Sequence, residues 1–450
     1  MRLFGTDGIR GKVNEYPLTA ESVLKLAKAA SIVLKKKTSI NRVVINKDTR
    51  LSGYIFEPAI TAGLISMGMD VILVGPLPTP ALSLLGKSLR ADFSIMITAS
   101  HNPYQDNGLK FFNSNGFKIS LEEEIKIEEL FFNYDFENHK IKSNSLGKAE
   151  RLSDAIGRYS EALKQTVEKN IIFNDFKVIL DTANGAAYKV APQILYELGA
   201  DLKTINNKPN GININLDCGS LYPKKATKEL LKRKADIAIC LDGDADRVVL
   251  IDEKGITLSG EEILYIIANH YVKKKILKKG STIVSNEIAN YGFEESLKKI
   301  GIKLSRVKVG DKNIIEAINK NGYLFGGEPS GHFIFKNHNL VGDGLVTAIK
   351  VMNIMKLENK KLSQLKKDIN MFEVVEINQN IDRELFLVKQ EKLYKDLIKI
   401  INNKKIFYSI RPSGTEPMLR VNLQYDKRSI KVNLIKIIKF KIIKTISDAC

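Results

Sequence analysis

A serine just past a predicted strand is the first candidate for chemistry. Ser100 lies in the segment from Thr98 to Lys110, which follows the apolar run Phe93–Ile97. The run is typical of a buried parallel strand, and open α/β sheets bind ligands in loops just past the carboxyl ends of their strands. The Ser100 hydroxyl is therefore well placed for chemistry. We expect an exposed loop here, in which Gly108 turns the backbone before Lys110.

Two other interpretations of this segment stay open. A hydrolase would use Ser100 as its nucleophile and His101 as the base. Adjacent side chains usually diverge, however, and a nucleophile elbow needs glycines where this chain has Thr98 and Asn102. A plain polar turn would also account for the Ser, Asn, Pro and Gly residues of the segment. The choice depends on the rest of the chain.

Three carboxylates form a second candidate site. Asp242, Asp244 and Asp246 follow the apolar strand Ile237–Leu241 and are separated only by small residues. The small residues let the chain curl, so that all three carboxylates can bind one hard cation, for which Mg²⁺ is the natural choice. An EF-hand calcium loop is a rival interpretation, but Arg247 stands where that loop needs glycine, and strands flank the segment. A solvated acidic turn is the other alternative.

Two further glycine-containing loops carry polar side chains that suit a phosphorylated sugar. In the loop from Gly326 to His332, the side chains of Glu328, Ser330 and His332 alternate and could hold a polyhydroxyl ligand. In the second loop, a guanidinium, two hydroxyls and backbone N–H groups could form a phosphate cradle. The residues of that cradle are Arg411, Ser413, Gly414 and Thr415. Either loop taken alone would also fit a tight turn.

Composition restricts the class of protein that carries these residues. The chain has 450 residues, of which 44% are hydrophobic, and a formal net charge of +19. The lysines lie in scattered surface-like runs without interleaved aromatic residues, which argues against a nucleic-acid stripe. No window reaches the ~18 apolar residues of a membrane span, and the N-terminus lacks the apolar core of a signal peptide, so we expect a cytoplasmic protein. The three cysteines, without CxxC spacing, are expected to be reduced and inert.

The elements that must position these residues alternate between strand and helix. The alternation predicts three α/β units with mainly parallel sheets, followed by a smaller α+β domain in which the pattern changes near Glu373. We expect the last helix, Ser429 to Lys444, to pack on its own sheet, although its basic apolar composition would also suit a membrane surface. The predicted domains cover residues 1–150, 151–255, 256–370 and 371–450.

Four of these segments together resemble a known family. The segments are 4–11 (FGTDGIRG), 98–112 (TASHNP followed by DNGLKFF), 242–247 (DGDADR) and 413–417 (SGTEP). In this order they resemble the α-D-phosphohexomutase superfamily, and within it the bacterial phosphoglucosamine mutases, across essentially all 450 residues. The resemblance implies three related α/β domains and a fourth domain that closes over a central cleft.

The resemblance also implies an activity. Ser100 would be a phosphoserine and the fourth ligand of one Mg²⁺, beside Asp242, Asp244 and Asp246. The enzyme would interconvert glucosamine 6-phosphate and glucosamine 1-phosphate through a bisphosphate, on the route to UDP-N-acetylglucosamine. Ser100 would be primed by a kinase, by autophosphorylation or by a sugar bisphosphate. A homodimer is compatible with the family, and neither nucleic acid nor membrane is an expected partner.

The family motifs assign roles to other residues. Arg247 would help to neutralise the transferred group, and Arg10, Lys110 and His332 would stabilise that group or move protons. Substrate contacts are expected from Glu328, Ser330, Arg411, Ser413, Gly414 and Thr415. A phosphomannomutase/phosphoglucomutase of the same superfamily and a non-catalytic sugar-phosphate-binding protein remain the alternatives.

The chain departs from the family pattern near its substrate loops. Pro329 replaces the usual Asn or Gln, Lys312 replaces Arg, and Leu221 with Tyr222 replaces Thr-His. These departures make the preferred sugar less certain than the type of reaction. Ala245, which replaces a glycine between two of the carboxylates, should be tolerated.

Overall fold

Four sheets organise the chain. The computed structural model describes residues 2–5, 7–36, 40–139, 141–338, 341–402, 405–412 and 417–449. Within these residues the strands form sheets of six, four, four and three strands. The first three sheets are mixed and mostly parallel, and the last is antiparallel. The predicted fold class is therefore confirmed.

The first domain contains the six-stranded sheet. Its strands are β1 (Ile9–Lys12), β2 (Arg42–Lys47), β3 (Asp70–Pro76), β4 (Phe93–Ile97), β5 (Asp106–Asn113) and β6 (Ala149–Arg151). Its helices are α1 (Ala20–Leu34), α2 (Gly53–Ile65), α3 (Thr79–Ser88) and α4 (Leu121–Asn133). The strand order is β1-β5-β4-β2-β3-β6, with β5 antiparallel to both neighbours. The expected loop from Thr98 to Lys110 thus ends early, because β5 carries Gly108 and Lys110.

The second domain presents the acidic segment on a hairpin. Its strands are β7 (Lys177–Asp181), β8 (Asp201–Ile205), β9 (Ile237–Leu241) and β10 (Val248–Asp252). Its helices are α5 (Ala155–Lys164), α6 (Val190–Glu197) and α7 (Lys224–Arg233). The order is β10-β9-β7-β8, and β10 runs antiparallel to β9. Residues 242–247 therefore join two paired strands. An EF-hand calcium loop would be flanked by helices instead, so this segment is not one.

The third domain also presents its polar loop on a hairpin. Its strands are β11 (Thr282–Asn286), β12 (Lys303–Val307), β13 (Phe325–Gly327) and β14 (Phe333–Phe335). Its helices are α8 (Gly260–Lys273), α9 (Tyr291–Lys299), α10 (Asp311–Asn321), α11 (Gly344–Glu358) and α12 (Leu362–Leu365). The order is β12-β11-β13-β14. The loop 328–332 connects β13 to β14, which pair antiparallel.

The fourth domain is the smaller α+β unit. It consists of β15 (Glu373–Asn380), α13 (Arg383–Ile401), β16 (Ile406–Pro412), β17 (Met418–Tyr425) and α14 (Val432–Ala449). The four buried isoleucines of α14 belong to the core of this domain, so the terminal helix packs on its own sheet as predicted. Among the described residues, no helix is both long and apolar enough to cross a membrane.

The four domains do not share one hydrophobic core. One large apolar cluster contains residues of the first three domains, such as Leu82, Leu180 and Leu264. The fourth domain has a cluster of its own, built from residues 377–446. The first three domains are therefore joined by shared apolar packing, and the last has a separate core.

Candidate active site

Ser100 sits at the meeting point of the first two domains. It follows β4, adopts a left-handed backbone conformation with φ 52°, and is 1% exposed. The expectation of an exposed loop is therefore wrong at this residue, because the second domain covers it. The Ser100 hydroxyl donates a 2.7 Å hydrogen bond to Oδ2 of Asp242. The serine and the acidic segment, far apart in the chain, form one site.

His101 approaches the same hydroxyl. Its Nδ1 lies 3.3 Å from Ser100 Oγ and 3.2 Å from Nη1 of Arg247. The expectation that the adjacent side chains diverge is wrong, because the positive φ of Ser100 turns them together. Arg247 can only donate, so Nδ1 accepts. Burial, followed by the positive charges of Arg247 and Arg10, lowers the pKa of His101 to about 4, which leaves a neutral imidazole at pH 7.

The three aspartates of the hairpin converge as the sequence predicts. Ligand oxygens of Asp242, Asp244 and Asp246 lie within 4.8 Å of one another, and all three residues are buried. Within the described part of the chain, Oδ1 of Asp244 and Oδ1 of Asp246 are buried without a hydrogen-bond partner. Burial and the two neighbouring carboxylates raise the pKa of Asp242 well above its usual range. Buried carboxylate oxygens that lack a hydrogen-bond partner fit a divalent cation such as Mg²⁺.

Lys110 lies directly behind the three aspartates. Its Nζ is 2.9 Å from Asp244, 3.2 Å from Asp246 and 3.1 Å from Asp7. Burial would lower the pKa of this ammonium, but the three carboxylates hold it well above its usual range. A permanent positive charge is thus fixed beside the candidate metal site.

A cavity of about 410 Å³ opens in front of these groups. It is lined by residues of the first three domains, including Arg10, His101, Asp246, Arg247, Glu328 and His332. The first hairpin contributes Asp246 and Arg247, and the second contributes Glu328 and His332. With Arg10 of β1, five predicted site residues therefore share one cavity, although they come from three separate sheets.

His332 is buried on the wall of this cavity. Its Nδ1 lies 3.8 Å from Asp246 and its Nε2 lies 3.6 Å from Asp311. Burial alone would lower the pKa of the imidazole, but Asp246, Asp311 and Glu328 raise it above its usual value. His332 and His101 thus face one cavity with opposite tendencies to hold a proton.

Glu328 is fixed from three directions. Its Oε1 accepts hydrogen bonds from Asn286 and from the backbone of Gly310, each of 3.2 Å, and its Oε2 accepts one of 3.3 Å from Ser330. Ser330 is thereby placed behind the carboxylate that lines the cavity. The predicted sugar loop presents Glu328 directly, with Ser330 as a support.

Arg411 lies apart from the first cavity. It lines a second cavity of about 270 Å³ between the third and fourth domains, together with Pro329 and Arg420. The adjoining loop residues Ser413, Gly414 and Thr415 lie outside the described residues. Because Glu328 lines one cavity and Pro329 the other, the loop 328–332 separates the two.

Comparison with known proteins identifies the family. The chain matches the family descriptions "Phosphoglucomutase/phosphomannomutase, alpha/beta/alpha domain I" over residues 1–138, domain II over 157–255 and domain III over 259–372. It is 44% identical over 434 residues to a phosphoglucosamine mutase from Geotalea uraniireducens, which covers 95% of each chain. The chain belongs to the phosphoglucosamine mutase family. It is thus an isomerase of the phosphohexomutase type.

Solved structures of phosphohexomutases have the same fold. A phosphoglucomutase/phosphomannomutase family protein from Burkholderia thailandensis superposes with a TM-score of 0.83 at 21% identity, covering 99% of this chain and 97% of that one. An N-acetylphosphoglucosamine mutase from Aspergillus fumigatus, solved in complex with GlcNAc-6P and magnesium, gives a TM-score of 0.65 at 16% identity and covers 99% and 96% of the two chains. The four-domain arrangement is therefore that of the superfamily.

Several residues at the site of this mutase were missed by sequence reasoning. Thr79, the first residue of α3, donates through its hydroxyl to Asp244 at 2.6 Å. Asp7 pairs with Lys110 and Arg10, and Lys118 bridges Asp7 to Asp311. Asp7 belongs to the FGTDGIRG segment and Asp311 directly precedes Lys312, so both lie in segments that the sequence comparison singled out, whereas Thr79 and Lys118 have no local pattern that could have revealed them.

The departures from the family pattern occupy different places in this mutase. Lys312 donates to the backbone oxygen of Ile119 at 3.0 Å, so it joins the third domain to the first. Leu221 and Tyr222 line a cavity of about 500 Å³ on the far side of His101. Ala245 adopts φ 55°, which a glycine would adopt more readily. Of these departures, only Pro329 lies within the expected sugar loop.

Proposed function

We propose that the protein interconverts glucosamine 6-phosphate and glucosamine 1-phosphate through phospho-Ser100 and a hexosamine bisphosphate. The observation that carries this proposal is the 2.7 Å hydrogen bond from Ser100 to Asp242, at the edge of a cavity lined by Arg247 and Glu328. A hydroxyl beside three converging carboxylates is suited to carrying a phosphoryl group under metal-ion compensation. The identity of 44% to a phosphoglucosamine mutase supports the choice of sugar.

The proposed reaction consists of two phosphoryl transfers. A free hydroxyl of the sugar phosphate attacks the phosphorus of phospho-Ser100, its O–P bond forms, and the bond between phosphorus and Ser100 Oγ breaks. The proton of the attacking sugar hydroxyl passes to a group on the cavity wall, and the bisphosphate turns round. Ser100 Oγ then attacks the other phosphoryl group, the bond between phosphorus and the second sugar oxygen breaks, and that oxygen takes up a proton. Magnesium, held by Asp242, Asp244, Asp246 and an oxygen on Ser100, would neutralise charge on the transferred group.

Positive side chains complete this charge compensation. We assign this role to Lys110, which lies 2.9 Å from Asp244, and to Arg247, which lines the cavity and lies 3.2 Å from His101. We assign the movement of protons to the groups on the cavity wall. Neutral His101 uses its Nδ1 lone pair on Arg247 and can donate through Nε2, and His332 suits the transfer of the proton that the sugar hydroxyl loses and the departing sugar oxygen gains. Arg10 would bind the phosphoryl oxygens.

The bisphosphate must also be gripped at its far end while the near end reacts. We assign that grip to Arg411 and to the residues Ser413, Gly414 and Thr415, since a guanidinium binds phosphate through two parallel hydrogen bonds. The separate core of the fourth domain supports a domain that moves as the bisphosphate turns. The priming of Ser100 by a kinase, by autophosphorylation or by a bisphosphate, a cytoplasmic location and a homodimer remain part of this proposal.

The domain bounds are likewise proposed. The boundaries after 255 and 370 fall between sheets, following β10 and preceding β15. The boundary at 150 cuts β6, a strand that pairs with β3 of the first sheet. We therefore propose that the first domain ends just after Arg151.

Purified protein tests the proposal when it is assayed with glucosamine, glucose and mannose 6-phosphates in the presence of Mg²⁺. We expect the highest kcat/KM with the glucosamine compound. An equal or higher value with glucose or mannose 6-phosphate would move the protein to the phosphomannomutase/phosphoglucomutase group. Binding of all three without turnover would leave only a sugar-phosphate-binding protein.

A further inference from the structure

We propose that Arg50 is a positioning residue for phosphoryl transfer, because it holds the backbone of the phosphoserine loop in the conformation that brings Ser100 to Asp242. Arg50 follows β2, and its side chain is fully buried. It contacts neither the metal-binding carboxylates nor the wall of the 410 Å³ cavity. This inference rests on the proposed function, because it assigns Arg50 a role in phosphoryl transfer that is exerted through the loop backbone.

All five N–H donors of the Arg50 guanidinium have an acceptor. Nε donates to Asp48 Oδ2 at 2.8 Å. The other four go to carbonyl oxygens of the loop: Nη2 donates to Ser100 and Asn102, both at 2.9 Å, and Nη1 donates to Asp106 at 3.0 Å and to Pro103. One side chain therefore binds four carbonyls within seven residues of backbone.

Asp48, the ion-pair partner of Arg50, is connected through Thr98 to the backbone N–H of Ser100. Asp48 Oδ2 accepts a 2.7 Å hydrogen bond from the Thr98 hydroxyl, and Thr98 Oγ1 accepts one of 2.9 Å from the backbone N–H of Ser100. Both the N–H and the carbonyl of Ser100 are thus fixed by one buried network. Such support is needed because Ser100 has φ 52°, a conformation that side chains other than glycine seldom adopt.

The second domain adds a matching contact. The Asn215 side-chain amide donates to the carbonyls of Ser100 and Asn102, at 2.9 and 3.0 Å, so each of these oxygens accepts from both domains. The backbone of Gly243, inside the acidic hairpin, also packs here, because a Cβ on it would lie 2.5 Å from the Ser100 carbonyl. The fit between the two loops is therefore set by the carbonyls that Arg50 holds.

Arg50 reaches the loop from the side away from the substrate. It lines a separate cavity of about 280 Å³ with Tyr54 and Tyr188, and no described residue lines both this cavity and the 410 Å³ cavity. Loss of Arg50 should therefore disturb the placement of Ser100 Oγ without removing a substrate contact. A reacting atom displaced by about 1 Å lowers the rate of a transfer by about 100-fold.

The test compares Arg50→Lys with Arg42→Lys. Lysine keeps the charge but cannot reproduce five donors in a planar fork. Arg42 is a matched control at the other end of β2, where its Nη1 donates to the carbonyl of Leu89 at 2.7 Å. We expect Arg50→Lys to lower kcat by about 100-fold with KM changed by less than about threefold. Arg42→Lys should leave kcat within about twofold.

Hydrogen exchange of the backbone amides gives a readout that does not depend on turnover. In Arg50→Lys, the amides of residues 100–107 other than Pro103 should exchange at least ~10-fold faster than in wild type, while those of β4 keep their protection. Unchanged exchange with normal kcat, or a raised KM with normal kcat, would overturn the positioning role. If the wild type itself shows no mutase turnover, the proposed function fails, and the exchange comparison still decides whether Arg50 orders the loop.

Asn215→Ala provides a second route should Arg50→Lys fold poorly. It removes two of the hydrogen bonds to the same carbonyls while leaving the buried ion pair intact. We expect kcat to fall about tenfold with KM nearly unchanged, and the same amides to exchange faster. Wild-type kcat and exchange in Asn215→Ala would contradict the claim that these carbonyls place Ser100.

Discussion

The Ser100 hydroxyl donates a 2.7 Å hydrogen bond to Asp242, across the junction of the first and second domains. One residue follows β4 of the six-stranded sheet, and the other follows β9 of the next sheet. Neither domain alone contains both the group that would carry phosphate and the carboxylates that would hold the metal. The shared apolar core of the first three domains is therefore a condition for the chemistry.

Asp244→Asn should weaken metal binding. The substitution removes one charge from a set of three converging carboxylates, whose Oδ1 atoms at Asp244 and Asp246 lack hydrogen-bond partners. We expect the dissociation constant for Mg²⁺, measured by calorimetry, to rise at least ~10-fold, or about 1.4 kcal/mol. Glu122→Gln on the exposed face of α4 makes the same chemical change as a control. Equal affinity in Asp244→Asn and wild type would rule out the metal assignment.

Arg411→Ala should weaken the grip on the far phosphate. A bidentate charge-assisted contact of about 2–3 kcal/mol would be lost, which lowers kcat/KM by about 30- to 150-fold. The phosphoserine content, read by intact-mass spectrometry, should stay at the wild-type level because Ser100 lies in another domain. Arg428→Ala, which removes an exposed arginine of the same domain, serves as the control. A normal kcat/KM in Arg411→Ala would mean that Arg411 does not bind the far phosphate. Loss of phosphoserine would mean that Arg411 acts at the phosphate that is transferred.

Asp343→Asn should stabilise the protein increasingly as the pH rises. The Asp343 side chain caps α11 by accepting from Leu345 and Val346, and it accepts a 2.9 Å hydrogen bond from Tyr159. Burial raises the pKa of Asp343 from its ordinary 3.8 to about 6. The folded state therefore binds this proton more tightly than the unfolded chain. Its stabilising effect is full below about pH 4 and is lost as the pH rises through about 6.

Asparagine keeps the cap without a charge to bury. By pH 7.5 the variant should avoid a cost of about 3 kcal/mol, of which roughly half is already avoided at pH 5, so its advantage in Tm over wild type should grow by about 2 °C between pH 5 and pH 7.5. Asp154→Asn, at the exposed start of α5, serves as a control that makes the same chemical change. A gap in Tm between Asp343→Asn and wild type that stays constant with pH would mean that the Asp343 carboxyl is not perturbed in the folded protein.

The sequence predicts best where one local pattern decides the structure. The continuous apolar runs of β4 and β9 have the bounds expected of them, because a strand buried on both faces needs no polar residue. β5 was missed because it begins with Asp-Asn-Gly, which favours a turn. In the fold, Asn107 is buried and donates to the Ser52 hydroxyl at 2.7 Å, so pairing with two neighbouring strands outweighs the local preference.

The candidate site likewise has some contacts that the sequence predicts and others that it does not. The spacing of Asp242, Asp244 and Asp246 predicts their convergence, since neighbouring positions in a tight hairpin stay together. The contacts of Lys110 with Asp7 and Asp244 join residues more than 100 positions apart, and no local spacing encodes them. The approach of His101 to Ser100 goes with the left-handed backbone of Ser100, which the residue types do not reveal.

Transfer of label from the phosphoenzyme tests the central claim most directly. Protein carrying ³²P on Ser100 is mixed with unlabelled glucosamine 6-phosphate and Mg²⁺ and quenched at intervals within a single turnover, with Ser100→Ala as the unlabelled control. We predict that the label leaves the protein at the rate of turnover and appears first in the bisphosphate, then in the monophosphates, while Ser100→Ala is inactive. Label that stays on the protein while glucosamine 1-phosphate accumulates would contradict a phosphoserine mechanism.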